Sequence, residues 1–517
     1  MIKKIGVCVG ATKPNKVNFV SAEPLRIGQF VILEYEENGE KYKLLGMIQQ
    51  LIRENLYISD GKSFEEAEKL KRFVHNTNIK GEIQILGKIV ENQNEIFLEI
   101  QRTPPLPGSD IYEADPEILK KLFGAKNERY IKIGKLLSEK NDIPVYIDIS
   151  QVALRHLAIL AITGAGKSNT VGVLLKNIVN LGGTVIVFDF HGEYSKTRFT
   201  RDGKEVINQI KPIINPAKLK IDEFANLVGI SSKAHVQRRY FRIAFKKLIE
   251  QLQDEKGKDW YNYIDTDDFI ERFKLILESL DESEEIKGLK KDSLYEVINK
   301  LEDTQSELGH IIKIGENHLI EKIKHGYINV IDFSEIDENV ADAVASNILK
   351  VALEERKKAV RQEESKLPYP VIVVVEEAHI LASDKRDTQS KYYMTRIARE
   401  GRKFGIGLTI VTQRPKGLDK EILSQMNNMI ILKLVEPEDQ KHVQSASEAL
   451  SAELMEYLPA LNPGEAIIIG NMTKLPLLIK IDKAEEKIQG NDIDIISKWK
   501  ESLKNESGRR KINLEDL

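Results

Sequence analysis

One cysteine, Cys8, is all the chain has. That excludes an internal disulfide framework and any zinc site built on several cysteines. Long apolar runs are missing too, so no transmembrane helix is expected. The first residues, MIKKIGVCVG, lack the apolar core of a signal peptide, so a cytoplasmic location is expected. Charge of one sign is not in excess. The 77 Lys and Arg stand against 80 Asp and Glu, a net charge of −3. No global basic field points to nucleic acid. A basic lining confined to one channel would still be compatible with that balance.

What is present fits a globular protein of 517 residues, with 41% hydrophobic and 30% charged residues. Such a length supports two or three domains with sizeable cores. Residues 1–105 read as all-β. Short alternating or apolar runs (IGVCVG, GQFVILEY, KLLGMIQQL, EIQILGKIV, EIFLEI) are separated by turn signals such as Asn38-Gly39. This spacing predicts a small barrel. Thr103-Pro104-Pro105-Leu106-Pro107-Gly108 reads as a linker, because it continues neither strand nor helix.

Residues 106–214 begin a different pattern, strands alternating with helices: HLAILAIT, then SNTVGVLLKNIVNL, then TVIVFDF. This predicts an α/β fold with a parallel sheet and crossover helices. Residues 215–325 break the alternation with long amphipathic helices and read as an inserted helical bundle. Alternation resumes over 326–485 with YINVIDFS, PVIVVVEEAH, GIGLTIVTQR and MIILKLV. Two last β segments, GEAIIIG and LPLLIKID, follow. The tail, 486–517, is charged, helical at first and then polar.

The chemistry concentrates at strand ends. Ala161-Ile162-Thr163-Gly164-Ala165-Gly166-Lys167-Ser168 matches the P-loop except that Ala161 replaces the first Gly. Small residues let backbone N–H groups curl around phosphates, and the following helix adds its positive N-terminal end. Lys167 is placed for the β- and γ-phosphates, and the Ser168 hydroxyl for Mg²⁺. Gly164, Ala165, Gly166, Lys167, Ser168 and Asn169 are the candidate ATP contacts. Ala161 matters only if that position needs φ > 0.

The strand Val371–Val375 ends in Glu376-Glu377, where parallel sheets bind ligands. Glu376 is assigned to Mg²⁺, through water, and Glu377 to the attacking water; the bland alternative is a solvated strand end. Gln413, at the end of GIGLTIVTQR, is the candidate γ-phosphate sensor, the alternative being an ordinary turn residue. Asp189 and Glu193, in DFHGEY, could support the metal shell; His191 beside them is read as structural. Arg396, Arg399, Arg402 and Lys403 recur at helical spacing. Such a helix can offer an arginine to a neighbour's ATP, or it is a solvated basic face.

These blocks jointly resemble the HerA-type hexameric DNA translocases and helicases, within the FtsK–HerA branch of P-loop ATPases. The resemblance rests on RHLAILAITGAGKSNT, DFHGEY, IVVVEEAHIL, TRIAREGRKFGIGL with TQRP, and NPGEAIIIG, and covers nearly the whole chain. It implies a RecA-like ATPase core, a HAS-barrel-like N-terminal barrel and a helical-bundle insertion. It also implies a homo-hexamer that pumps double-stranded DNA through a central channel with ATP and Mg²⁺. A NurA-type nuclease would be its partner in processing DNA ends. Lys167, Ser168, Glu376 and Glu377 match the family's nucleotide, metal and water residues. Arg402 matches an arginine finger acting in trans, and Arg155 a second arginine at the subunit interface.

Candidate DNA-binding residues are Lys385 and Arg386, in the stretch from Ser383 to Lys391, and Lys416 and Lys420 after Thr412; surface solvation accounts for them equally well. Two rivals share the P-loop. One is a secretion or conjugation motor, which usually carries membrane segments. The other is a small-molecule kinase, which is normally shorter and has no arginine helix placed for a neighbour.

Overall fold

The alternating runs of the first hundred residues fold because each strand buries one side chain in two inside a closed surface. The computed structural model describes residues 3–486 and 499, apart from 56, 59–60, 72–73, 75–76, 93–94, 140, 283–289, 448 and 474. The expected tail from 487 on therefore lies outside the described residues, except for 499. The barrel strands are β1 (Lys4–Lys13), β2 (Lys16–Ser21), β3 (Phe30–Glu37), β4 (Glu40–Asn55), β5 (Thr77–Asn92), β6 (Glu95–Glu99) and β7 (Asp110–Glu113). Their order is β2-β1-β7-β3-β4-β5-β6, and β2 pairs with β5 to close six strands. Val31 and Leu33 join the barrel's own core, while Phe30 and Ile32 of the same strand join the main core. Period-two alternation thus buries both faces of β3.

Two expectations for this region need correcting. The barrel is not all-β: α1 (Phe64–Leu70) follows β4, started by a Ser63/Glu66 capping box. The stretch 103–108 is not an exit linker either. It is a loop within the barrel, with Gly108 N–H donating to the Cys8 carbonyl at 2.9 Å. The loop leads into β7, which sits between β1 and β3. The prolines do break the strand, but a four-residue strand beyond them is too short to announce itself by periodicity.

The core sheet uses β8 (Tyr130–Leu136), β9 (Pro144–Asp148), β10 (Leu157–Leu160), β11 (Thr184–Asp189) and, after the small hairpin β12 (Thr200–Arg201) and β13 (Lys204–Glu205), β14 (Ile207–Ile210). It continues with β15 (Ile328–Asp332), β16 (Val371–Val375), β17 (Ile406–Thr412), β18 (Asn428–Ile431), β19 (Glu465–Gly470) and β20 (Leu477–Ile481). The order is β14-β15-β11-β16-β17-β10-β18-β19-β20-β8-β9. The first seven strands pair in parallel. The last four extend the sheet antiparallel. In the parallel part β16 and β17 are buried throughout, as expected of strands covered on both faces.

The helices that matter for the site are introduced in chain order. After α2 (Pro116–Phe123) and α3 (Ile149–Arg155), α4 (Lys167–Asn180) follows the P-loop. The inserted bundle holds α5 (Ile221–Leu227), α6 (His235–Lys256), α7 (Thr266–Ser279) and α8 (Asp292–Leu308). Phe224, Phe241 and Phe273 form its centre, with Phe241 and Phe273 rings 5.0 Å apart edge to face. Then come α9 (Glu338–Val360), α10 (Ala378–Leu381), α11 (Gln389–Phe404), α12 (Lys420–Ser424), α13 (Pro437–Ala446) and α14 (Ala452–Met455). Among the described residues, no helix is long and apolar enough to cross a membrane.

The bundle is tied to the core by a buried ion pair. Lys350 of α9 donates to both carboxylate oxygens of Glu223 on α5, at 3.0 and 3.2 Å, with each side chain 11% exposed. Removing one partner strands the other charge in a poorly solvated place. Lys350→Met is therefore expected to lower stability by about 3 kcal/mol. Adding Glu223→Gln should restore much of the loss. Denaturant titration of the parent, both singles and the double variant checks this; a single variant as stable as the parent would contradict it.

Candidate active site

The parallel register brings the ends of β11, β16, β17 and β10 to one edge of the sheet, in that spatial order. Chemistry scattered over some 250 residues converges there, at the crevice where such sheets bind ligands. The P-loop runs from β10 into α4. Gly164 and Gly166 have φ of +77° and +101°, so the loop's curl depends on them. A Cβ at Gly166 would also lie 3.1 Å from the backbone nitrogen of Gly464, whose N–H donates to the Ala165 carbonyl at 2.8 Å. The NPGE turn thus backs the cradle. Ala161 is fully buried and has no positive φ, so its departure from the usual Gly costs nothing in conformation.

Lys167 contacts Glu377 directly through its Nζ and Oε1. Glu377 is 2% exposed and has φ +41°, a left-handed conformation that for a glutamate costs about 1–3 kcal/mol. That turn lies between β16 and α10, where Glu377 is the N-cap. Two histidines flank it. His191 Nε2 lies 3.4 Å from Oε1, and His379 Nδ1 lies 3.4 Å from Oε2. Burial opposes the charge on Glu377, but His191 and Lys167 outweigh it and hold its carboxyl down at about 2. Glu377 is therefore ionised at neutral pH.

Glu376 has the opposite environment. It is fully buried, and Tyr194 donates to its Oε1 at 2.8 Å. Burial pushes its carboxyl up to about 8, against the pull of Lys167 and Tyr194. Adjacent residues on one strand end thus carry a protonated and an ionised carboxyl. Thr163 of the P-loop donates its hydroxyl to Gln413 Oε1, which links the tips of β10 and β17.

The residues fit a hard divalent cation that shares its ligands with phosphate. Glu376 Oε2, Glu377 Oε2 and Glu193 Oε2 are buried without hydrogen-bond partners among the described residues. These oxygens and the Ser168 hydroxyl are of the type a hard cation takes. Among the described residues, no group of three His, Cys, Asp or Glu could hold a metal alone. That suits a cation whose remaining ligands are water and substrate.

Several expected residues are placed differently. Asp189 is no metal ligand: its oxygens accept from the backbone N–H groups of His191, Glu193, Tyr194 and Ser195 at 2.9–3.3 Å, which organises the DFHGEY turn. Asn169 is not free for nucleotide. Its amide donates to the Asp482 carbonyl at 2.8 Å and accepts from Ala484 N–H at 2.9 Å, which anchors the segment after β20. Arg386 pairs with Glu338 at 2.6 Å, and Lys416 with Glu436 and with Glu438 at 3.1 Å. Both pairs are exposed, so they are weak and solvent-screened; Lys385 has no such ion pair among the described residues. His191, read as structural, faces Glu377 instead. His379 and Tyr194 were not assigned from sequence, although EEAH and DFHGEY contain them. The pairing of β11 with β16 reveals what Tyr194 touches, and that of β16 with β17 brings His379 to Thr412 at 3.0 Å.

Arg155 and Arg402 sit elsewhere. Arg155 ends α3, before β10, and Arg402 lies in the last turn of α11, before β17. Both are therefore at the end of the sheet opposite the cradle, a strand length of about 10–20 Å away. Arg402 is exposed and Arg155 half-buried, and neither has an ion-pair partner among the described residues. On α11, by contrast, Arg396 pairs with Glu400 at 3.7 Å and Arg399 pairs with Glu421 of α12. The helix end is gripped by α9: Arg356 donates to the Phe404 carbonyl at 2.8 Å, and Lys357 bonds Glu400 at 3.0 Å.

The raised Glu376 carboxyl has a consequence for stability. A carboxyl held above its ordinary value binds its proton more tightly folded than unfolded. The folded state then loses stability as pH rises from 4.5 to about 8, by up to about 1.4 kcal/mol per pH unit. Glu376→Gln removes that loss. The nucleotide-free variant is expected to melt above the parent at pH 8, with the gap closing near pH 5. Thermal melts across pH check this; identical pH dependence for the two proteins would exclude a protonated Glu376.

The chain is similar to several known proteins. The family described as Helicase HerA, central domain, matches residues 131–352, and the HAS barrel domain matches residues 5–90. The protein named DNA double-strand break repair helicase HerA from Saccharolobus solfataricus is 40% identical over 499 residues, covering 96% of this chain and 95% of that one. The probable helicase MJ1565 of Methanocaldococcus jannaschii is 40% identical over 505 residues, covering 97% of this chain and 95% of that one. Among solved structures, VirB4 of Thermoanaerobacter pseudethanolicus aligns with a TM-score of 0.49 and 15% identity, covering 70% of this chain and 99% of that one. With its barrel, its P-loop and its paired strand-end glutamates, the chain belongs to the HerA helicase family and is an ATP-dependent enzyme.

Proposed function

We propose that the chain works as an ATP-driven homo-hexameric translocase and helicase on double-stranded DNA. Its partner is a NurA-type nuclease, and its role is DNA end resection in recombinational repair. One observation carries the ring. The cradle with Glu377 and the unpaired arginines Arg155 and Arg402 lie at opposite ends of one sheet, so a single chain cannot bring them together. A neighbour in a closed ring can. The DNA-repair role is supported by relatives that bear that name, one of them 40% identical over nearly the whole chain.

Each step follows from the groups at hand. Without nucleotide, Lys167 is neutralised by Glu377. The phosphates of ATP compete for that ammonium and release Glu377. His191 remains beside the carboxylate and keeps it oriented for the water that attacks the γ-phosphate, while His379, bonded to Thr412 at 3.0 Å, lies on its other side. Gln413, held by Thr163, reads the γ-phosphate from the adjacent strand tip. Ser168, and Glu376 through water, would hold a Mg²⁺, which would supply positive charge beside the phosphates. Arg402 of the next subunit stabilises the charge that develops in the transition state, and Arg155 lines the same interface. DNA is gripped through its phosphates, without sequence preference and in a salt-dependent way.

Arg402→Ala should lower steady-state ATP hydrolysis by roughly 10³-fold while ATP binding stays nearly intact. Mixing it with Glu377→Gln subunits should restore part of the activity, because some interfaces then pair an intact Arg402 with an intact Glu377. Turnover near the parent's by Arg402→Ala alone would sink the trans assignment. Duplex DNA should stimulate the parent's hydrolysis, and the effect should fall as salt rises. No response to duplex at any salt would favour the secretion or conjugation motor instead.

A further inference from the structure

The sheet end opposite the cradle contains a buried histidine that the reaction described above does not use. His156 is 3% exposed and stands between Arg155 and β10. Its backbone has φ +61° and ψ 163°, a region that glycine enters freely and other residues rarely do. The ring shows why a side chain is kept there. Nδ1 accepts from the N–H of Leu408 on β17 at 3.0 Å, so the proton sits on Nε2. Nε2–H donates to the carbonyl of Ala398 on α11 at 3.1 Å. In an α-helix that carbonyl is the one paired with the N–H of residue 402.

The surroundings hold this arrangement in place. Asn428 donates to the His156 carbonyl at 2.8 Å and to that of Gln151 at 3.0 Å. Gly407 lets α3 lie on β17: a Cβ there would stand 2.8 Å from the Ala153 carbonyl oxygen. Gly401 lets α11 lie close to the start of β17, since a Cβ there would stand 2.6 Å from the Ile406 carbonyl oxygen. Burial also lowers the imidazole's pKa to about 4, so the ring stays neutral and keeps both roles, donor and acceptor.

We infer that His156 is the positioning residue that joins Arg155 and Arg402 into one trans-acting edge. It does so by a peptide bond to the first and by the Ala398 hydrogen bond to the helix turn carrying the second. The inference rests on the proposed role of Arg402 and adds how that arginine is aimed. It predicts that a subunit without the tether has a sound nucleotide pocket and a misplaced finger.

The test is directional. His156→Asn keeps an acceptor for Leu408 but is too short to reach Ala398, and it meets the same backbone strain at φ +61° and ψ 163° as the parent histidine. Its subunits should bind ATP within about twofold of the parent and hydrolyse it at least tenfold more slowly. Mixed with Glu377→Gln subunits, they should regain activity, because their own pockets receive an intact Arg402. Mixed with Arg402→Ala subunits, they should regain none. His156→Gln, whose amide can reach Ala398, should recover part of the loss by itself. Normal hydrolysis by His156→Asn alone would overturn the inference. So would rescue by Arg402→Ala subunits, which would locate the defect in the pocket, or rescue by neither partner, which would mark a general structural role. The mixture of Arg402→Ala with Glu377→Gln is the control. If it shows no rescue, the trans reading itself fails; if it does, any other failure belongs to His156.

Discussion

A lysine and a glutamate 210 residues apart in the chain meet at the edge of the sheet, and the active pocket is organised around that contact. Lys167 is 14% exposed and Glu377 2% exposed, so neither charge is well hydrated. Each is tolerable because the other is there. His191 and Lys167 together keep Glu377 ionised beside a protonated Glu376, and in the proposed reaction substrate phosphates take the place of the Glu377 contact. The pocket without nucleotide is thus a self-neutralised version of the loaded one. His191 gives the carboxylate a neighbour that does not depend on Lys167.

The sheet has two working ends. At one, strand tips gather phosphate-binding and water-orienting groups. At the other, the entries to β10 and β17 carry Arg155 and Arg402, with the helix end clamped by Arg356 and Lys357. The rigid parallel strands between them fix the distance from one end to the other. In the proposed ring, the arginine end and the cradle would be joined through a stiff element rather than a loop. The extra strands β18-β19-β20 also matter to the cradle, since the turn before β19 backs the P-loop at Gly464.

Local patterns told much of this in advance. Small residues at 164–166 followed by Lys167 and Ser168, between an apolar strand and a helix, specify a phosphate cradle by their conformational needs alone. Apolar runs such as Val371–Val375 specify strands buried on both faces, and alternation in the first hundred residues specifies a barrel. Other features were hidden. The strand Asp110–Glu113 is too short to show a period. Asp189 and Asn169 look like site residues, yet their side chains are used up by backbone groups, local ones for Asp189 and those of Asp482 and Ala484 for Asn169. Arg386 and Lys416 look like free cations, yet carboxylates far away in the sequence pair with them.

The sequence by itself determined the chemistry available: a phosphate cradle, two carboxylates at a strand end, and arginines on an amphipathic helix. These depend on residue type and short spacing, which sequence displays directly. Only the tertiary structure decided which of those groups share a site, because contact across parallel strands depends on strand order and register rather than on distance along the chain. It paired Lys167 with Glu377 and set Tyr194 on Glu376. It also laid the ring of His156 between Leu408 and Ala398, some 240 to 250 residues further along the chain.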